Sequence, residues 1–218
     1  MTVYDVAARL PEIPALRDHC RALAMLDAIL SPEWESRYHS FDAHWRPGEE
    51  MASMSNGSGD AYSIVFTSAG AYIRGFDHES PMSPWGNDDL EVWPGVLDTV
   101  PEVFRTQVAE PAFTRDGVPD VTACLWRTAT GTRWQTGEID FAGHSDGADW
   151  LFGLLTERSA DAYRTWACDY FETEVPLAAV EHVHALRPLT GDIIWALNAD
   201  VSLADLADDI AEIGYPTD

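Results

Sequence analysis

Four groups of residues in this sequence have types and spacings that suit chemistry, and the first contains a histidine between two acids. His78 stands between Asp77 and Glu79, directly after a segment with strand character. A histidine titrates near neutrality, and a neighbouring carboxylate can orient its ring or favour its charged form. His78 is therefore a candidate base of a catalytic site, with Asp77 or Glu79 as its orienter. A histidine flanked by carboxylates could also ligate a metal ion, and a surface turn, which explains the same residues without chemistry, is the favoured interpretation.

The second group is a run of small polar residues, 53–60, that precedes the same strand. Hydroxyls and glycines let a ligand approach the backbone closely, and successive amides can bind anions. The run matches neither phosphate-binding loop pattern, and it lacks the nucleophile elbow of α/β-hydrolases. A turn-rich connector is the favoured interpretation. Ser55 from this run or Ser80 would act as nucleophile only if the fold brings its hydroxyl within reach of His78.

Two further groups contain residue types that can ligate metals. His182 and His184 would point the same way on a strand, but two imidazoles need a third ligand to hold zinc. Asp146 and Asp149 lie in a segment that does not match a calcium-binding loop, so a turn is predicted there. The sequence therefore predicts no cofactor and no metal site.

The chain has nine tryptophans, and the sequence around four of them indicates either a core or a surface role. Trp166 and Trp195 fall within helical apolar patterns and are predicted to be core residues. Trp85 and Trp93 lie in a long acidic loop, where an aromatic ring beside charges is typical of a protein-binding hot spot. The residues expected to contact a partner are Asp77, Glu79, Trp85, Asp88, Asp89, Glu91 and Trp93.

Charge excludes several function classes. The chain has 37 acidic and 13 basic residues, a net charge of −24, and every basic residue is arginine. An acidic surface repels nucleic acid and anionic membranes, so neither is an expected partner. The absence of lysine removes Schiff-base and lysine-dependent phosphate chemistry. The same charge would attract a basic protein, although it could also serve only solubility.

Cysteine usage and the N-terminus predict a cytoplasmic protein. The three cysteines form no CxxC pair, which favours reduced thiols over a disulfide framework. The segment 1–10 lacks the basic and apolar regions of a signal peptide, and no apolar run is long enough to span a membrane.

The pattern of elements predicts an α+β fold, with a mostly antiparallel sheet, helices packed on it and a helical C-terminal third. Helical spacing covers 14–30, and alternation around Ser68-Ala69-Gly70 predicts a hairpin over 61–76. A strand is expected within 34–45, an interrupted helix over 96–108, a second hairpin over 121–135 and a strand over 180–186. Ser159, Thr190 and Ser202 are expected to cap helices, and Gly214 to end the last one. One domain, 1–218, is predicted, and a division near residue 145 is the alternative.

Two blocks of the sequence carry a resemblance: Met54-Ser55-Asn56-Gly57-Ser58-Gly59-Asp60 and Gly75-Phe76-Asp77-His78-Glu79-Ser80-Pro81-Met82-Ser83-Pro84. In these blocks the chain resembles proteins of an uncharacterised bacterial family. That family has no assigned activity, so the resemblance implies no substrate and no site residue. In its acidity and tryptophan content the chain is also similar to bacterial immunity proteins, which neutralise toxins.

Two functions follow as expectations. The first is a non-enzymatic, acidic, immunity-like module that binds a basic protein. The alternative is a hydrolase or transferase that uses His78 with Asp77 or Glu79.

Overall fold

The computed structural model describes residues 1–86 and 89–217 and has an α+β fold. The strands are, in chain order, β1 (His39–Arg46), β2 (Glu49–Ser55), β3 (Ala61–Thr67), β4 (Gly70–Phe76), β5 (Thr114–Arg115), β6 (Val118–Pro119) and β7 (Ala123–Thr128). The helices are α1 (Val3–Arg9), α2 (Ile13–Leu30), α3 (Arg105–Val108), α4 (Ala148–Leu151), α5 (Gly153–Thr156), α6 (Ala160–Tyr170), α7 (Leu177–His184), α8 (Gly191–Leu197) and α9 (Ala207–Ile213).

Five of the strands form an antiparallel sheet in the order β1-β2-β3-β4-β7, and β5 pairs with β6 in a small separate ribbon. Consecutive strands are neighbours in the main sheet until β7, which reaches the edge of β4 after a long connection. Beyond residue 147 the described elements are all helices. The predicted fold class, with its helical C-terminal third, is therefore confirmed.

The chain condenses into two compact units, each built from two stretches of sequence. The first unit comprises Met1–Ile13 and Ser55–Thr156, and the second comprises Pro14–Met54 and Glu157–Asp218. The single domain expected from the sequence stays a prediction.

The core of the first unit forms around the β3–β4 hairpin. Ile64 and Ile73 face each other across it, and both are fully buried. The turn needs Gly70, whose φ is +138°, because a Cβ there would lie 2.1 Å from the carbonyl oxygen of Arg127. Phe152, which lies near the C-terminal end of this unit in sequence, packs its ring against Tyr62. The hairpin predicted from alternation is confirmed.

The core of the second unit is the long helix α2, whose buried residues include Leu16, Leu23, Met25, Leu26 and Ile29. Helix α9 packs on β1, and α7 packs between α6 and α8. Ser159 and Thr190 accept hydrogen bonds from backbone N–H groups and cap α6 and α8, as predicted. Gly214 ends α9 in the left-handed conformation, also as predicted.

Several local predictions are wrong or only partly right. Residues 180–186 lie mostly in helix α7, so the predicted strand is wrong. Strand β2 includes residues 53–55, which were predicted to belong to a turn-rich connector. Of the second hairpin only β7 is a full strand, since its partner is reduced to a bridge between Trp126 and Gln135. The capping pair Ser202–Asp205 forms, but it closes a turn before α9 begins.

None of the helices in the described ranges is long and apolar enough to cross a membrane.

Candidate functional site

The candidate site lies where the β3–β4 hairpin opens. Ala61 at the start of β3 pairs with Phe76 at the end of β4. The residues just outside this pair, Asp60 and Asp77, therefore leave the sheet at the same end and on adjacent strands. The two sequence segments that attracted attention separately are brought together here. His78 follows directly and completes the cluster.

Asp60 holds His78 by two contacts. One carboxylate oxygen, Oδ1, accepts the backbone N–H of His78 at 2.8 Å and lies 2.6 Å from Nδ1 of its ring. The other oxygen accepts the side-chain amide of Asn56 at 2.6 Å. Asp60 is buried, whereas the His78 side chain is 38 % exposed. The pair thus anchors one ring nitrogen and leaves Nε2 outside this contact.

The contact shifts the pKa of both residues: that of His78 is raised above its ordinary value, and that of Asp60 is lowered below it. The hydrogen bond that the His78 ring donates to Asp60 raises the pKa of His78, and the negative charges of Asp60, Glu79 and Asp77 act in the same direction. Burial opposes ionisation of Asp60, but the hydrogen bonds from His78 and Asn56 outweigh it and lower the pKa of that carboxyl. The arrangement favours an ionised carboxylate beside an imidazolium.

The predicted orienters have other partners. Asp77 Oδ1 accepts the backbone N–H groups of Glu79 and Ser80, at 3.1 and 3.2 Å. Its Oδ2 accepts the indole N–H of Trp150 at 3.2 Å. Glu79 is exposed and acts on His78 only through its charge. The carboxylate that orients His78 is therefore Asp60, which the sequence did not single out.

A nucleophile beside His78 is not found within the described ranges. Ser80 is buried, donates its hydroxyl to the carbonyl oxygen of Ser145 at 2.6 Å and accepts the N–H of Met82. Ser55 is exposed at the end of β2, where its hydroxyl faces the N–H of Gly57 at 3.5 Å. No hydrogen bond described for this chain joins either serine to His78.

The two loop tryptophans are anchored and half-buried. Trp85 donates its indole N–H to Asp120 at 2.5 Å, and the guanidinium of Arg115 lies 4.9 Å above its ring. Arg115 also pairs with the same carboxylate at 3.4 Å. Trp93 donates to the carbonyl oxygen of Asp140 at 2.8 Å. The acids Asp89 and Glu91 are exposed, and Asp88 lies outside the described residues.

The tryptophan with an exposed ring at this end of the hairpin is Trp150. It is 42 % exposed and touches Asp77 through its N–H, and Asp149 beside it is exposed as well. A helical start at Ala148 places it there, and Gly147 permits the approach because a Cβ at that position would lie 2.5 Å from Asp77. The segment 144–150 had been predicted to be only a turn, so sequence reasoning missed this contact.

The two tryptophans predicted to be core residues, Trp166 and Trp195, differ in their burial. Trp195 is 69 % exposed, so the prediction that it belongs to the core is wrong: its position on the short helix α8 faces away from the buried Ile194 and Leu197. Trp166 is half-buried in a cluster of rings, where it stacks on Tyr170 with centroids 5.0 Å apart.

The two histidines of α7 do not share a face. On a helix, residues two apart point in different directions. His182 donates its Nε2–H to the carbonyl oxygen of Pro188, 2.8 Å away. His184 packs edge-on against His19 instead, with ring centroids 4.9 Å apart. The shared orientation expected from a strand is therefore wrong.

Two surface pockets lie away from His78. The larger, about 660 Å³ in volume, is in the first unit, and its lining includes Tyr4, Trp126, Arg127, Arg133 and Glu138. The smaller, about 510 Å³, is in the second unit and is lined by residues such as Arg164 and Cys168.

Comparison with known proteins gives no match: no protein-family model, no curated protein and no solved structure is significantly similar to this chain.

Proposed function

We propose that this protein is a non-enzymatic, immunity-like binding module that engages a basic protein, and that a partner arginine docks on Trp150 beside Asp77. The observation that carries the proposal is the exposed indole of Trp150, held against the Asp77 carboxylate by an N–H hydrogen bond. We call Asp77, Glu79 and Trp150 the strand-end surface.

The same chain contains a complete version of this arrangement. At Trp85 the indole N–H donates to Asp120, while Arg115 covers the ring and pairs with that carboxylate. Such a group combines a cation–π contact with a charged hydrogen bond. Trp150 and Asp77 reproduce the indole and the carboxylate, and in the described part of the chain no arginine stacks on Trp150. A guanidinium from a partner would complete the set.

The charge around the site supports a basic partner. The segment 77–120 has ten acidic residues and two arginines. Both arginines form ion pairs within that segment, Arg105 with Glu102 at 3.2 Å and Arg115 with Asp120 at 3.4 Å. Because both ion pairs lie within the segment, the segment keeps its excess of eight acidic residues over arginines. A field of one sign accelerates association with an oppositely charged protein and fades as salt increases.

A peptide titration tests the proposed chemistry directly. Labelled oligo-arginine and oligo-lysine peptides of equal length are titrated into the wild-type protein, the Trp150→Ala variant and the Trp195→Ala variant. Trp195 is the matched control, because it is an exposed tryptophan with no described hydrogen bond to a carboxylate. We expect tighter binding of the arginine peptide, a loss in Trp150→Ala and none in Trp195→Ala. Equal binding to all three proteins would contradict the proposal.

Capture from a cell lysate then identifies the partner. The wild-type protein should retain a stoichiometric basic protein at about 50 mM salt and release it at about 500 mM, where the Debye length is only a few ångströms. Trp150→Ala and the double charge reversal Asp89→Arg with Glu91→Arg should each retain less of it. Retention that is unchanged in both variants would exclude this surface as the interface.

A hydrolase or transferase that uses His78 is the second candidate, and the Asp60–His78 contact favours it. Asp60 fixes Nδ1, so Nε2 is the nitrogen that would accept a proton from a substrate or a water molecule. The test is turnover of a panel of activated esters and phosphoesters by wild-type and His78→Gln proteins. Turnover that survives in His78→Gln would eliminate this role.

A further inference from the structure

We infer that Asp60, Asp77 and His78 form a binding site for a divalent transition-metal ion of the zinc type. One ligand atom from each of the three residues lies within 4.8 Å of the other two. Asp60 is buried, Asp77 is half-buried and His78 is exposed, so the cluster has a fixed inner side and an open outer side. The inference does not require the proposed protein partner, but Asp77 belongs to both sites.

The spacing of the three groups suits a small ion. Ligand atoms around zinc sit about 2.0–2.2 Å from the metal, which puts neighbouring ligands roughly 3.3 Å apart in a tetrahedral site. The present cluster already brings its ligand atoms within 4.8 Å of one another, so closing around an ion would have to shorten each separation by at most about 1.5 Å. His78 Nδ1 and Asp60 Oδ1 lie 2.6 Å apart, and an ion that entered between them would displace a proton from this contact to solvent.

Each carboxylate is held by donors outside the cluster. Asn56 donates to Asp60 Oδ2 and leaves Oδ1 on the side of His78. The exposed indole of Trp150 donates to Asp77 Oδ2, while two backbone amides hold Oδ1. Outer donors of this kind orient metal ligands. In metal sites generally, loss of such a donor weakens metal affinity by roughly 10–100-fold.

The donor set selects the class of metal. One imidazole nitrogen with two carboxylate oxygens suits zinc and its neighbours in the first transition row. Calcium and magnesium prefer oxygen ligands alone. Three protein ligands also leave one coordination position for water or for a group from another molecule, as in zinc sites that are not purely structural.

The experiment is calorimetric titration of zinc chloride, with magnesium chloride as the comparison, into untagged protein that carries Cys168→Ser. That replacement removes the one cysteine that is not fully buried. His78→Gln is the main variant because its side chain is partly exposed and its loss spares the core. His44→Gln is the matched control, since His44 is an exposed histidine near an acid, Asp42, on β1.

We expect one zinc ion per chain, no response to magnesium, at least a tenfold weaker zinc affinity in His78→Gln and no change in His44→Gln. Asp60→Asn should weaken binding similarly, with circular dichroism checking that it folds. Absence of zinc binding in the parent protein, or binding that His78→Gln leaves unchanged, would overturn the inference. His78→Gln separates the two proposals: it should weaken zinc binding at least tenfold, yet leave arginine-peptide binding unchanged, because the strand-end surface consists of Asp77, Glu79 and Trp150 and does not include His78.

Discussion

At the scale of single residues, the clearest consequence of the structure is the dependence of His78 on Asp60. The ring and the backbone N–H of His78 both contact the same carboxylate oxygen. Glu79 stands next to His78 in sequence, yet its effect is only that of a nearby charge. Adjacency in sequence is therefore a poor guide to which acid controls this histidine.

Replacing Asp60 by asparagine should lower the pKa of His78, because the main cause of its elevation is removed. In the wild-type protein the elevated pKa stabilises the fold below about pH 6.5, and this contribution is lost as the pH rises through the folded-state value. Asp60→Asn should weaken that dependence. The measurement is an NMR titration of the His78 ring, with Glu79→Gln as control. A larger shift in Glu79→Gln than in Asp60→Asn would contradict the assignment.

A second residue-scale feature is a buried polar network that the sequence did not indicate. Asp27 is fully buried and accepts hydrogen bonds from the Tyr163 hydroxyl at 2.6 Å and the His39 backbone N–H at 2.7 Å. The His39 ring lies 3.1 Å from the same acid. The three residues come from α2, α6 and β1, so one carboxylate joins three elements of the second unit. A buried acid without such partners would be strongly destabilising.

The Tyr163→Phe variant removes one of those donors and should lower the free energy of unfolding by about 1–3 kcal/mol. Tyr170→Phe is the control. Its ring stacks on Trp166, but Tyr170 is 42 % exposed and no hydrogen bond is described from its hydroxyl to Asp27, so the change should stay within about 0.5 kcal/mol. Urea unfolding of both variants gives the comparison. Equal effects would show that the hydrogen bond to Asp27 contributes nothing specific.

At the scale of elements, the sequence predicts best where local pattern and tertiary burial agree. The β3–β4 hairpin has alternating apolar residues and a glycine turn, and α2 has a long helical stripe. Strand β2 has the sequence EEMASMS, which lacks branched and aromatic residues, so only pairing in the sheet makes it a strand. Helix α7 contains two valines within eight residues, too short a segment for periodicity to separate helix from strand.

The candidate site, too, could be predicted from the sequence only where a local pattern indicated it. The histidine and its adjacent acids were visible in the sequence, and the register of the hairpin was implied by its turn. The contact from Asp60 follows once residues 61 and 76 are paired. The contact from Trp150 does not, because it depends on how α4 packs against β4, and no local signal specifies that packing.

Gly95 and Gly137 make a close backbone contact that can be tested. A Cβ on Gly137 would lie 1.7 Å from the carbonyl oxygen of Gly95, and a Cβ on Gly95 would lie 2.1 Å from that of Glu138. Backbone atoms cannot move aside as a flexible side chain can. Gly137→Ala should therefore destabilise the protein by about 1–3 kcal/mol or more.

Gly153→Ala is the control for that prediction. Gly153 begins the short helix α5, and nothing lies within 4 Å of a Cβ added there. Alanine is the better helix former, so a gain of up to about 1 kcal/mol is expected. The two midpoints of urea unfolding should move in opposite directions. A destabilisation of similar size in both would mean that the contact between Gly95 and Gly137 is not responsible.

At the scale of the whole molecule, the dominant property is charge. With 37 acidic and 13 basic residues, the folded chain holds many like charges at short range. Several arginines are engaged locally, such as Arg21 with Glu50 at 2.6 Å and Arg37 with Asp209 at 2.5 Å. Such pairs offset only a minority of the acids, and self-repulsion opposes the compact state.

Added salt should therefore stabilise the protein. Because sodium chloride screens exposed charges, the urea midpoint should rise between about 20 and 500 mM salt, with an unchanged slope. Neutralising the exposed acids in Glu79→Gln, Asp89→Asn and Asp116→Asn together should flatten that rise. Arg133→Gln removes an exposed cation for which no ion pair is described in this chain, and it should steepen the rise. A midpoint that falls as salt is added would show that ion pairs outweigh repulsion, and the acidic surface would then have to be regarded as a set of compensated charges.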